Sequence, residues 1–422
     1  MQKVSDLPDD IIEVILLLLS SKHLGRFKSV SKSWNTLISS NEFTVKRGAK
    51  KIMLRIRHPD LYAIADYDKF DEALDMRVDD MGEIWNSCYG LLLAEDGPRV
   101  YPGMVSNPTF FIWNPTTGGR LQLPKPLTEV RGGMASEILY GLGYDHISGY
   151  YKVLRILYYR EEWFEDGCPP DDDWSLYTQQ TNSWQRFETI VPYKPDPHSY
   201  QMVYLENALH MVANTLTSRT NKGRVILAFD LSSEEFREVP QPDHGDEKFC
   251  IDVNASYRWL TLVSHLGGPV FNVWAMKEYG KRESWIKMFS INQSTIMRSR
   301  ESLFPLHLSE NGVIIASVGG YYMDKHTYLV FCDSLRKEAR IFKPPRASRL
   351  EIAMFVESLV TFNIDENLVK QENKEFGKEN LNSFRVRIVK GKDEDERQPA
   401  DNPLNCDYFF TTSDTISGSA TV

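Results

Sequence analysis

At 422 residues the chain has room for a small module plus one large domain, and its net charge of −9 argues against nonspecific nucleic-acid binding, which relies on dense Lys and Arg contacts to phosphate. No apolar run approaches the roughly eighteen residues of a membrane-spanning helix. The five cysteines, Cys88, Cys168, Cys250, Cys332 and Cys406, lie far apart with no C-x-x-C pair, which points to free thiols in a reducing compartment, cytoplasm or nucleus, and not to a disulfide framework.

The stretch from Leu7 to Phe43 predicts a compact helical hook. Leu7 and Pro8 open it, and proline suits a helix start because the amide it lacks would be unpaired there. Ile11, Ile12, Ile15, Leu16 and Leu19 recur at helical spacing, with Asp9, Asp10 and Glu13 where the helix dipole favours negative charge. A second short helix is expected to carry Leu24 and Phe27, and a third Val30, Trp34, Leu37 and Ile38. Three short helices cannot enclose so many large apolar groups. The surplus predicts a partner helix or an adjoining domain. A secretory signal is not expected, because Asp6, Asp9, Asp10 and Glu13 precede only a brief apolar run.

Leu7-Pro8, Ile15-Leu16, Leu19, Leu24, Arg26-Phe27-Lys28, Val30, Lys32, Trp34 and Leu37-Ile38 fall, ungapped, in the order of an F-box, which this segment resembles. An ordinary helical cap would share the periodicity but not that order. In the F-box family the motif docks a substrate receptor onto a Skp-type adaptor and, through it, a cullin scaffold. The resemblance implies that Leu7, Pro8, Ile11, Ile15, Leu16, Leu19, Leu24, Phe27, Val30, Trp34 and Leu37 bind that adaptor. Two positions depart from the family: Ser20 stands where proline is frequent, and Gly25 where a larger aliphatic is usual.

After residue 50 the chain becomes short β-rich runs cut by Asn, Gly, Asp and Pro. One phrase, an apolar strand, a polar turn and a second strand, returns five times: Phe110–Trp113 with Leu121–Leu123, Ser175–Tyr177 with Trp184–Phe187, Leu227–Leu231 with Phe236–Val239, Val273–Met276 with Ser284–Met288, and Leu329–Asp333 with Ala339–Phe342. The leading aromatics Trp113, Tyr177, Phe229, Trp274 and Phe331 are 64, 52, 45 and 57 residues apart. Such intervals suit four-stranded propeller blades with long loops. Further strands are expected at Leu139–Tyr144, Tyr151–Tyr158, Met202–Leu205, Leu209–Val212, Trp259–Val263 and Gly312–Ala316. A β-sandwich would also space strands this way, but the fivefold phrase favours a ring. The predicted fold is thus mainly β: F-box helices followed by an irregular β-propeller of five to seven blades.

This body is similar to the F-box-associated domain of plant F-box proteins, on the strength of Trp113-Asn114-Pro115-Thr116-Thr117-Gly118, Tyr140-Gly141-Leu142-Gly143-Tyr144-Asp145, Tyr151-Lys152-Val153, Ser183-Trp184, Ala228-Phe229-Asp230-Leu231, Trp274 to Gly280, Ser284 to Lys287, and Glu357-Ser358-Leu359. One departure is Asn207-Ala208-Leu209-His210-Met211, which lacks the family's turn glycine and a large aromatic, and so predicts a looser blade or an altered rim. The expected division is 1–46 F-box, 47–365 propeller and 366–422 polar tail, the last with a weak strand at Phe384–Val389 that could extend the final blade.

No Walker loop, dinucleotide fingerprint, H-E-x-x-H, G-x-S-x-G or zinc-spaced Cys/His cluster occurs, so neither a cofactor nor a metal is expected. His210 reads as a packed strand histidine. What remains is a non-catalytic adaptor: the resemblance implies a substrate-recognition subunit of a Skp–cullin–F-box ubiquitin ligase, acting by proximity. A lectin-like glycan receptor is the alternative, suggested by the 12% aromatic content. The acidic insertion Glu161–Asp173, with Trp163, Phe164, Glu165, Asp166, Asp171 and Asp172, is the candidate anchor for a basic protein substrate, the alternative being a disordered insertion with no partner.

Overall fold

The computed structural model describes residues 7–48, 50–56, 61–66, 69–77, 81–96, 109–126, 136–159, 172–188, 191–196, 202–216, 223–243, 250–256, 259–265, 270–292, 301–308, 313–320, 326–333, 338–342, 350–361 and 387–388. Four helices come first, one more than the sequence pattern suggests: α1 (Asp9–Leu17), α2 (Ser21–Phe27), α3 (Lys32–Ile38) and α4 (Asn41–Arg47). The unexpected fourth helix has a clear start signal, since the Ser40 hydroxyl accepts the Phe43 amide at 3.1 Å, and it ends on Gly48 in the left-handed region. Val30 lies in the turn before α3 and not on that helix; Ser31 caps α3 by accepting from the Trp34 amide.

Strands follow. β1 (Lys50–Ile56), β2 (Leu61–Asp66) and β3 (Lys69–Arg77) form an antiparallel trio. Blade I is β4 (Met81–Cys88), β5 (Leu91–Asp96), β6 (Thr109–Trp113) and β7 (Arg120–Gln122). Blade II is β8 (Ser136–Asp145), β9 (Tyr150–Tyr159), β10 (Asp173–Thr178) and β11 (Ser183–Arg186). In blade III both β12 (Tyr193–Pro195) and β13 (Val203–Leu205) pair with β14 (Ala208–Thr215), which continues to β15 (Arg224–Asp230) and β16 (Phe236–Val239). Blade IV is β17 (Cys250–Ser256), β18 (Trp259–His265), β19 (Val270–Met276) and β20 (Trp285–Asn292). Blade V is β21 (Glu301–Leu308), β22 (Val313–Gly320), β23 (His326–Asp333) and β24 (Glu338–Phe342).

β25 (Leu350–Val356) then pairs antiparallel with β1, so that β25, β1, β2 and β3 make blade VI, and β26 (Arg387–Ile388) adds at the edge of β3. Blades V and VI share one sheet only through the pair His326 and Leu350, so the nine-stranded sheet divides in two and joins four separate sheets to give six blades. The inner strands touch in sequence, β4 against β8, β8 against β13, β13 against β17, β17 against β21, β21 against β25, and β25 against β4. The ring is closed, which leaves only short outer edges unpaired.

The core lies between blades. Leu93, Phe110 and Ile112 of blade I meet Tyr140, Leu142, Val153 and Tyr177 of blade II in one cluster, and similar clusters join II to III, III to IV and IV to V. Trp113, Tyr177 and Phe229, the leading aromatics of the first three phrases, are buried. The loose blade expected at Asn207 is not found. Glu206 and Asn207 both take left-handed backbone, and the Asn207 side chain accepts the His146 amide at 2.9 Å and donates to Ser232 at 2.7 Å. Asparagine tolerates positive φ and here supplies bonds a glycine lacks, so β13 and β14 close in register.

Candidate functional site

The helical hook divides its apolar residues between two faces. Leu16, Leu24, Ile38 and Phe43 are buried together, joined from the far end of the chain by Leu359, with Ile12, Leu17, Leu19, Phe27, Trp34 and Leu37 packed around them. Phe27 and Trp34 meet edge to face at 5.8 Å between centroids. On α1 and the residues that flank it the opposite stripe, Leu7, Ile11, Val14, Ile15 and Leu18, is exposed, Leu18 to 82%. These positions recur at helical spacing on one side, so α1 presents an unburied apolar face.

The residues expected to bind an adaptor therefore separate. Leu7, Ile11, Ile15 and Val30 are exposed and available, and Pro8 caps α1. Leu16 and Leu24, each 1% exposed, form the core of the hook and offer no contact surface. Leu19, Phe27, Trp34 and Leu37 are partly buried against that core. Val14 and Leu18, not among the expected residues, are exposed on the same side, where their offsets from Ile11 place them. A side chain at Gly25 would meet nothing within 4 Å, so the missing aliphatic is absent from the surface and leaves no hole in the core.

Of the expected substrate anchor, Trp163, Phe164, Glu165, Asp166 and Asp171 lie outside the described residues. Its root is described. Asp172 accepts the Tyr159 amide at 3.1 Å, and buried Asp173 takes Arg155 and Arg186, each at 2.9 Å. Arg155 also reaches the Tyr140 hydroxyl at 3.2 Å. Asp173 is thus the internal counter-ion of blade II, committed to packing and removed from any anchor. β9 starts beside the helices, where the Tyr151 hydroxyl donates to Asn41 of α4 at 2.8 Å, and runs away from them. Leu157 and Asp173, paired at the other ends of β9 and β10, therefore lie at the end of blade II away from Tyr151.

Among the described residues no three His, Cys, Asp or Glu side chains are grouped to hold a metal, and no helix is long and apolar enough to cross a membrane. His210 is fully buried, its Nδ1 3.1 Å from the Val203 carbonyl and its Nε2 2.5 Å from the Tyr279 hydroxyl. Burial lowers its pKa to about 4, so the ring is neutral at pH 7. Burial likewise pushes the Cys88 thiol well above its usual range, which disfavours the nucleophilic thiolate.

Residues 4–46 match the F-box domain, and residues 69–362 match the F-box associated beta propeller domain. The chain is an F-box protein of the F-box-associated propeller family. Three Arabidopsis thaliana relatives illustrate the kinship. F-box protein CPR1 is 27% identical over 341 residues, covering 73% of this chain and 78% of the relative. An F-box/kelch-repeat protein is 25% identical over 334 residues, covering 74% and 85%. A further F-box protein is 25% identical over 338 residues, covering 75% and 87%. The hook is accordingly this plant-type protein's F-box, a domain that implies a Skp-type adaptor as partner, and the ring is its F-box-associated propeller.

Proposed function

We propose that this F-box protein is the substrate-recognition subunit of a Skp–cullin–F-box ubiquitin ligase in the cytoplasm or nucleus, non-catalytic itself, which tethers a protein substrate for ubiquitination and degradation. In this reading residues 1–46 hold the adaptor, 47–365 hold the substrate and 366–422 form an appended tail. The observation that carries it is the unburied stripe of α1. Five large apolar side chains, on α1 and the residues flanking it, stand exposed on one side, while Leu16 is buried on the other with Ile12 and Leu17 packed beside it. Burying each such group in an adaptor contributes about 1.5–3 kcal/mol. The ring supplies a rigid support for loops at the far end, and effective concentration does the rest.

The test is binding of a purified Skp-type adaptor to the full chain. Ile11→Asp with Leu18→Asp should leave the fold and its melting temperature unchanged, since both side chains are exposed, yet weaken binding by about two orders of magnitude or more. Leu16→Ala should instead lower stability by about 2–5 kcal/mol, because it opens a cavity in the helical core. Adaptor binding that survives the double aspartate variant, with the helices intact, rules this reading out.

A further inference from the structure

Two motifs singled out in the sequence, Trp113 to Gly118 and Glu357 to Leu359, are not explained as hairpin and strand alone. They meet each other, and the second also reaches the F-box. Glu357, immediately after the strand that closes the ring, accepts the Ser21 hydroxyl of α2 at 2.6 Å and the Arg47 guanidinium of α4 at 3.2 Å. Arg47 also donates to Ser21 at 2.8 Å, and its side chain is only 8% exposed. Ser358 lies 3.3 Å from the Thr44 hydroxyl, both residues buried. The Leu359 carbonyl accepts Lys28 at 3.0 Å at the end of α2, while its side chain enters the helical core.

The ring grips the same segment from the other side. Asn114 is fully buried, and its amide nitrogen donates to the carbonyls of Ser358 and Val360, both at 3.0 Å. Its side-chain oxygen accepts the Thr116 amide at 2.9 Å, which fixes its orientation, and the Thr116 hydroxyl accepts the Ser358 amide at 3.2 Å. Gly90, at φ +82 in the β4–β5 turn, makes the passage possible. A Cβ there would lie 2.3 Å from the Val356 carbonyl and 2.4 Å from the Ser358 Cβ. Val360 then packs in the cluster between blades I and II.

We propose that residues 357–359 are a latch through which closure of the ring completes the F-box: the segment positions α2 and α4, supplies the last wall of the helical core, and is itself held by Asn114 and Thr116. The F-box is then one cooperative unit with the closed propeller, and not a module hung from it. A chain in which β25 has not joined β1 presents an F-box with an open core and a buried guanidinium lacking its carboxylate. Incompletely folded chains would in this way present no ordered adaptor face. The inference goes beyond the ligase reading and rests on no property of the adaptor.

Amide hydrogen exchange on the full chain tests it. Leu359→Ala should speed exchange in α1 to α4 by about ten-fold or more, with blades II to IV unchanged, because the leucine is lost from the helical cluster alone. Arg47→Glu should do the same, and the exchanged pair Arg47→Glu with Glu357→Arg should restore protection. F-box amides as protected in Leu359→Ala as in the parent chain would overturn the latch. If Leu359→Ala also loosens the blades, the charge pair decides: no change in Arg47→Glu, or no rescue by the exchanged pair, overturns it too.

Discussion

At the scale of single residues, burial decides what a side chain can do. His210 is the clearest case. Its ring is enclosed in blade III, bonded on both nitrogens, with Arg237 donating to the Tyr279 hydroxyl that it faces. Burial first, then the Arg237 charge, hold the folded pKa near 4 against an ordinary 6.5. The unfolded chain therefore binds the extra proton between those values, and stability falls as pH drops through that window. The loss should be about 2 kcal/mol at pH 5 relative to pH 7. Denaturant midpoints at the two pH values should show it, and His210→Phe, though less stable at pH 7, should lose less on acidification. Equal acid losses in both proteins would remove His210 as the cause. Asp145 does not confuse the window. Burial raises its carboxyl, but hydrogen bonds from Ser232, Ser148, the Ile147 amide and Lys152 outweigh it and hold the pKa at about 2.

At the scale of elements, the same substitution takes opposite signs according to what surrounds it. Gly143 on β8 faces blade III so closely that a Cβ would lie 2.5 Å from Leu231 and 2.9 Å from Tyr204. Gly25 on α2 faces open space. Gly143→Ala should lower stability by about 1–3 kcal/mol through overpacking. Gly25→Ala should raise it by roughly 0.5–1 kcal/mol, the helix preference for alanine. Thermal unfolding of the two variants separates the effects, and a stabilising Gly143→Ala would mean that the blades do not pack as described. The hairpins themselves were legible. All five sequence phrases are found as strand pairs, β6–β7, β10–β11, β15–β16, β19–β20 and β23–β24, because polar turns between apolar runs are a local signal. The strands β1 to β5 were not, since they carry no such phrase although they pair with their sequence neighbours, and β1 also needs β25, far along the chain, to complete its blade.

At the scale of the whole molecule, strand direction separates two ends of the ring. The F-box occupies the end carrying the β4–β5, β6–β7 and β8–β9 turns, and the described ends of β9 and β10, between which the acidic segment falls in sequence, belong to the other. A substrate held there would stand clear of the adaptor. Replacing residues 161–171 by a Gly-Ser linker of equal length should abolish capture of a basic substrate and its salt dependence, while adaptor affinity stays the same. Asp172 and Asp173 must be kept, since Asp173 neutralises Arg155 and Arg186 inside blade II. Capture that persists at full strength after the replacement would place recognition elsewhere on the ring.

By itself the sequence determined the helical hook, the hairpin phrase and the lack of any local catalytic motif, because each is written in neighbouring residues; the F-box rested on the resemblance of its residue order, and the ring on the phrase's repetition. Which of the hook's apolar residues face outward needed the packed core: Leu16 and Ile15 are adjacent and alike, and only their partners distinguish them. The sixth blade needed the chain's two ends to meet, Lys50 against Val356. The roles of Asn114 and Glu357 needed the same meeting, for their partners are hundreds of residues distant, and periodicity carries no information across that separation.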